Sequence, residues 1–404
     1  MIGLKKVNGE EFQLKKENNQ EYNISDKKIN EKYEKGEFRI VTEQARYPIK
    51  SIPDMFMDGV LTGDYKLNPE YQRRKRWSDE KKSRLIESFI INVPLPPIFL
   101  YEYEYSQYEV MDGLQRLTTI IDFYKGDFSL KGLEYWRELN GQTYSELPHA
   151  IRRGIDRRYI SSVILLNETA KDEEEAEELK QIVFERLNSG GEKLEPQETR
   201  NALYNGKFNK LCIRLSTNDK FRKMWRIPNE NELKKDNHGY SQAEIDRYKE
   251  MEDVELVLRF FAYRFLNEYT SNSMRNFLDV YLIEANKWSD NTLVELEDIF
   301  ENSIELVYEI FGKEAFLLPK SKGKQSKKIT KTIYEPLMQS ISKYLDYKES
   351  LLKNKKEIRE NKFSNQEDLT LENGKKLFDG KYNHRSVIEK RIEYFDKLFE
   401  LYIK

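Results

Sequence analysis

One glycine set between two differently patterned runs constrains this chain more than any other feature. Tyr108 to Met111 reads as an extended run and Leu117 opens an amphipathic one, with Asp112-Gly113-Leu114-Gln115-Arg116 between them. A glycine elbow of this kind predicts a strand that feeds directly into a helix. The first backbone N–H groups of such a helix have no partner within it, and the macrodipole favours an anion there. Gln115 and Arg116, in the first turn, add an amide and a planar cation, both donors that a phosphate accepts from. Taken alone, the same residues equally describe an ordinary junction with a surface arginine. Asp112 equally describes a carboxylate that caps the helix, holds a metal or orients a ribose hydroxyl.

Other blocks flank the elbow. Upstream lie Asn68-Pro69-Glu70-Tyr71-Gln72-Arg73 with Trp77, a helical stretch Leu85 to Phe89, and Pro94 to Leu100 leading into a strand. Downstream lies Phe184-Glu185-Arg186-Leu187-Asn188-Ser189-Gly190-Gly191, then Leu194, Glu198, Arg200, Asn201 and Ala202. In order and spacing, over roughly positions 50 to 265, these blocks resemble the ParB/sulfiredoxin-like domain of GmrSD-type, modification-dependent restriction systems. That family's signature is Asp-Gly-Gln-Gln-Arg. This chain departs from it at Leu114, which places any role for a side-chain amide at that position in doubt, and keeps Gln115 and Arg116.

The resemblance implies an α+β fold: a small ParB/sulfiredoxin-like mixed sheet with helices, followed by an all-α C-terminal domain. It also implies a nucleotide-dependent defence protein acting on foreign or modified DNA, with Mg2+ and a nucleoside triphosphate at the elbow. In similar proteins the arginine of the Tyr-Gln-Arg block faces the elbow, which nominates Arg73. Arg73, Arg116 and Arg186 would then supply phosphate charge, Gly113 close backbone approach, and Gln115 and Asn188 hydrogen bonds. Asp112 and Glu198 would be the carboxylates for metal or water, with Asp112 the metal ligand. The plainer alternatives stay open: Asn188 as a helix cap ahead of Gly190, and Glu198 as a first-turn acid meeting a helix dipole. Arg116→Ala is expected to abolish nucleotide binding and leave the melting temperature nearly unchanged.

Charged residues make up 35% of the 404-residue chain, yet the formal net charge is only −2. No global field therefore draws it to nucleic acid or an anionic membrane, and any such surface must be local. Two basic segments qualify: Arg74-Lys75-Arg76, continued by Lys81, Lys82 and Arg84 around Trp77, and a lysine-rich loop that includes Lys324, Lys327 and Lys328. Either would track a phosphate backbone, with solvated charge as the alternative and Trp77 read as core. The expected partners are DNA, a nuclease on another chain, or a second copy, with no membrane. Met1 to Lys6 shows no apolar leader and no stretch is long and apolar enough to span a bilayer, so the expected location is cytoplasmic. Cys212, between Leu211 and Ile213, reads as a core thiol.

The organisation expected is a polar extension over 1–45, the α+β domain with the elbow over 46–168, and a helical domain over 169–404 with the lysine loop near 319–331. Arg158 to Leu166 suits a further buried strand. From Asp172 the period becomes helical, and further helices are expected at about 196–215, 241–267, 273–288, 291–311, 333–349 and 384–402. There is no P-loop spacing. His149, His238 and His384 make no His-Asn-His nuclease module. Three activities compete: a nucleoside triphosphatase coupled to DNA recognition, a non-catalytic binding module whose nuclease sits elsewhere, and direct metal-dependent cleavage using Asp112 and Glu198.

Overall fold

The computed structural model describes residues 2–14, 26–34, 40–56, 64–67, 77–166, 173–188, 194–233, 239–269, 273–318, 328–364, 369–371, 376–378 and 384–403. Arg73, Arg74, Lys75, Arg76, Lys324 and Lys327 lie outside these residues. The chain divides into two compact units, Asn19–Leu194 and a second formed by Met1–Asn18 together with Glu195–Lys404. This is the expected mixed α+β architecture with a helical C-terminal part, but the division falls later than position 168. Among the described residues no helix is long and apolar enough to cross a membrane.

The first unit is built on a mixed sheet of β1 (Thr42–Pro48), β2 (Tyr65–Lys66), β3 (Ile98–Glu104), β4 (Gln107–Asp112) and β5 (Tyr159–Leu165). Their order is β1-β5-β3-β4-β2, with β3 and β4 antiparallel and β3 and β5 parallel. Ile98, Leu100, Val110, Ile160 and Ile164 are buried and join one core with residues of α2 (Asp79–Ile91), α3 (Leu114–Lys125) and α4 (His149–Asp156). The hydrophobic spacing of α3 makes this packing possible: Leu117, Ile120, Ile121 and Phe123 fall on its buried side. A short helix, α1 (Asp26–Glu34), precedes the sheet. Its successor in the unit's last stretch, α5 (Glu173–Asn188), was expected to open the helical domain. It belongs with the sheet because Lys180 pairs with Glu109 of β4 at 2.9 Å and lies over the Tyr101 ring.

The second unit contains α6 (Pro196–Leu203), α7 (Lys207–Leu215), α8 (Asp219–Trp225), α9 (Glu252–Ala262), α10 (Met274–Ala285), α11 (Asp290–Phe311), α12 (Lys331–Ile341) and α13 (Arg385–Glu400), with further helices at Gln242–Lys249, Lys348–Lys353 and Lys355–Asn361 and short turns between them. Most of α9 is buried, from Asp253 to Ala262 with few interruptions, which marks it as the central helix. The run expected at 241–267 is broken at Met251, whose φ is +58°, and that at 196–215 is broken before Gly206. Cys212 is buried, and burial pushes its thiol pKa up.

Residues 2–14 fall within the expected polar extension, yet they belong to the helical unit. They dock on the helical unit: Phe12 sits edge-on to Phe265, Phe277 and Tyr281 at 5.7, 5.8 and 5.2 Å. Glu10 takes a two-point ion pair from Arg264, through Nε and Nη2 at 2.6 Å each, while Trp288 donates to the Glu11 carbonyl at 3.3 Å. The correction has a simple cause, since the apolar residues Val7 and Phe12 needed a core and found one far along the chain.

Candidate functional site

The predicted elbow is present. β4 ends at Asp112 and α3 begins at Leu114, with Gly113 between them at φ +98°. A side chain at Gly113 is doubly excluded: the left-handed backbone disfavours it, and a Cβ there would lie 2.5 Å from Ile98 Cγ2 and 3.3 Å from Arg116 Nη2. Leu114 is buried in the core of the sheet unit. The departure from the family signature thus falls on an inward-facing position, where an apolar side chain is accommodated without a hydrogen-bond partner.

Two helix starts meet at this end of the unit. Trp77 N–H donates to Gln115 Oε1 at 3.2 Å, and two turns further on Lys82 pairs with Asp122 at 2.7 Å. α2 and α3 therefore run in the same direction, with their N-termini side by side. Their electrostatics differ. At α2, Ser78 caps the Lys81 N–H, and Asp79 and Glu80 occupy the first turn. Hydrogen bonds from its own backbone and from Ser78 hold Glu80 below the usual carboxylate range. At α3 the cap is a glycine, which has no side chain to cap with, no acid lies in the first turn, and among the described residues no side chain is seen to cap it. The positive end of α3 is the one left for an external anion.

Arg116 departs from the expectation of a surface cation. Its Nη2 donates to Asp112 Oδ2 at 2.9 Å and its Nη1 donates to the Pro96 carbonyl. Its side chain is 11% exposed against 48% for Asp112. Burial lowers the guanidinium pKa, opposed by the Asp112 charge. Because it clasps the start of β3 to the end of β4, its removal should lower thermal stability, contrary to the sequence expectation. Trp77 packs partly buried against the core, with Lys81 4.8 Å over its ring.

The remaining nominated residues are distributed as follows. Arg186 is exposed on α5, and Asn188 ends that helix, its side chain lying outside the described set. Glu198 is buried in the helical unit at the start of α6, where its Oε2 accepts from the Glu195 N–H at 2.9 Å in a capping box. Lys328 is exposed. Asp112, Gly113, Gln115 and Arg116 are thus brought together with Trp77, whereas Glu198 belongs to the other unit.

Sequence reasoning missed a charged network in the helical unit. Arg200 donates to Asp279 at 2.6 Å and to Glu255 at 3.0 Å; Arg259 joins Glu255 at 2.8 Å and Glu335 at 2.9 Å; Lys331 reaches Glu252 at 3.0 Å. Burial alone would raise the Glu255 carboxyl, but Arg259, Lys331 and Arg200 hold it well below the usual carboxylate range. The polar run Gln197-Glu198-Thr199-Arg200-Asn201 gives no sign in sequence that Arg200 is buried, and it does not name the distant acids.

No curated protein and no solved structure gives a match. A family model matches residues 54–205, less than half of the chain, running from before β2 through the elbow to just past α6. With the glycine elbow, the paired helix starts and the α5 block all inside that span, residues 54–205 are similar to the family described as GmrSD restriction endonuclease, N-terminal domain.

Proposed function

We propose that the elbow binds a nucleoside triphosphate with Mg2+, and that the protein is a restriction-type defence protein coupling nucleotide hydrolysis to recognition of foreign or modified DNA. The observation that carries this reading is the bare N-terminus of α3 behind Gly113, flanked by a half-exposed carboxylate. First-turn N–H groups suit phosphate oxygens, and Gly113 keeps the backbone approachable. Mg2+ needs few protein ligands when it arrives with phosphates, and one carboxylate, Asp112, fits that demand. The ion would neutralise charge on the phosphates during transfer. Gln115 gives its oxygen to Trp77, and among the described residues its two amide donors meet no acceptor, so they could serve a ligand oxygen or a water. Recognition of DNA rests on the family relationship and the basic segments, not on the elbow.

A second reading is favoured by one observation, the closure of Arg116 on Asp112 and Pro96. It makes the domain a non-catalytic ParB-like module that binds DNA or a partner, with the nuclease on another chain. Direct cleavage by a carboxylate cluster has less support: among the described residues no group of three or more His, Cys, Asp or Glu could hold a metal.

The test is phosphate release from ATP, GTP, CTP and UTP with Mg2+, with and without modified DNA, for the wild type and Asp112→Ala. Hydrolysis that disappears in the variant supports the triphosphatase. Wild-type protein that releases phosphate under none of these conditions shifts the assignment to the binding module.

A further inference from the structure

We propose that Arg116 is a positioning residue of the elbow, which fixes the Asp112 carboxylate through one oxygen and leaves the other for the ligand, and that Arg116 does not itself touch the ligand. The ligand's identity rests on the reading above; the positioning role rests on the clasp. An arginine poised for phosphate would present its fork outward. This one spends both terminal nitrogens inside the unit, Nη2 on Asp112 Oδ2 at 2.9 Å and Nη1 on the Pro96 carbonyl. Its partner carboxylate is the more open group, with a side chain 48% exposed against 11%.

The surroundings fix the guanidinium where it is. Gly113 lies so close beneath it that a Cβ would come within 3.3 Å of Nη2. Pro96 sits two residues before Ile98, whose side chain meets the same Cβ position of Gly113 that Arg116 does, so the clasp and the close packing at the elbow are one arrangement. A planar fork can serve a carboxylate and a carbonyl lying in different directions, whereas a lysine ammonium on a flexible stem is a point charge that would hold one of them. Charge alone and fork geometry can therefore be separated by substitution.

The experiment uses the full chain and inorganic tripolyphosphate with Mg2+ as the probe, titrated calorimetrically. Arg116→Ala is expected to weaken binding at least about tenfold and Arg116→Lys by more than about threefold, because a lysine holds only one of the two partners. Binding by Arg116→Lys within about threefold of wild type, or a further loss of binding when Arg116→Ala is added to Asp112→Ala, would overturn the proposal and make Arg116 a direct phosphate ligand. If the wild type binds no tripolyphosphate, the nucleotide reading is lost, and the positioning role is judged on melting temperatures. Shifts for Asp112→Ala and Arg116→Ala that fail to add in the double variant retain the clasp, and additive shifts overturn it.

Discussion

Arginine is used in opposite ways in the two units. At the elbow, Arg116 is closed off while its partner Asp112 remains half in water, so the pair keeps an unfinished side. In the helical unit, Arg200 is 1% exposed and meets Asp279, Glu255, the Gln197 amide oxygen and the Arg275 carbonyl, so every nitrogen of its fork is engaged. A pair with one open carboxylate can still take a ligand; a network closed on itself can only hold a fold together. Perturbed charge by itself therefore does not single out a candidate site here, and the openness of one partner is what separates the elbow from the network.

The largest expected effect comes from breaking the closed side of this contrast. Arg200→Ala would take from Asp279 and Glu255 the buried cation they share, leaving Glu255 to Arg259 and Lys331 and Asp279 to Arg275, and is expected to cost about 3 kcal/mol, the low end of the range for removing one partner of a buried pair. Urea unfolding measures it, and a loss below about 1 kcal/mol would show that water reaches the network freely. Gly113→Ala attacks the open side. It forces a Cβ against Ile98 in a left-handed backbone, expected to cost about 1–3 kcal/mol and to reduce phosphate release more than Arg200→Ala does among molecules that remain folded. Equal residual activities of the two folded variants would erase the distinction between the sites.

The smallest effect sharpens the comparison with a third buried charge. Lys362 is 7% exposed, lies between the Phe311 and Phe363 rings at 5.0 Å each, and donates to the Ala315 carbonyl. Burial pushes its pKa down from 10.5 to about 7, opposed by Glu314. The folded state thus holds fewer protons than the unfolded chain between about 7 and the ordinary lysine range, so this group's contribution to stability rises with pH across that window. It is fully present above the unfolded pKa and lost as pH falls through about 7. Lys362→Met should flatten this part of the profile, read as melting temperature from pH 6.5 to 9.5; an unchanged slope would place the ammonium in water.

The elbow was legible because its determinants are local: Gly113 admits a backbone that other residues avoid, and the period changes from two to 3.6 within a few residues of it. Most helices were legible for the same reason, and their breaks at Met251 and before Gly206 were not, since a side-chain pattern does not announce a left-handed residue. What stayed hidden was long-range. Nothing near Arg116 in sequence points to the Pro96 carbonyl twenty residues back. Nothing in the acidic face of α5 singles out Lys180 as the residue that carries that helix to Glu109. Glu198 looked like a catalytic acid or a helix-start acid, and the structure places it in a capping box.

The docked N-terminal segment also orders events during synthesis. Glu11 is bonded to Trp288 across 277 residues, with the sheet unit encoded between them. At roughly 5–20 residues per second, a ribosome would deliver Trp288 tens of seconds after Phe12. The sheet unit, complete by Leu194, can fold while the helical unit still lacks most of its helices. Val7 and Phe12 thus emerge well before the helices that bury them. A lesion at Phe12 would be felt as a defect of the helical unit, although every residue it touches is encoded more than 250 positions later.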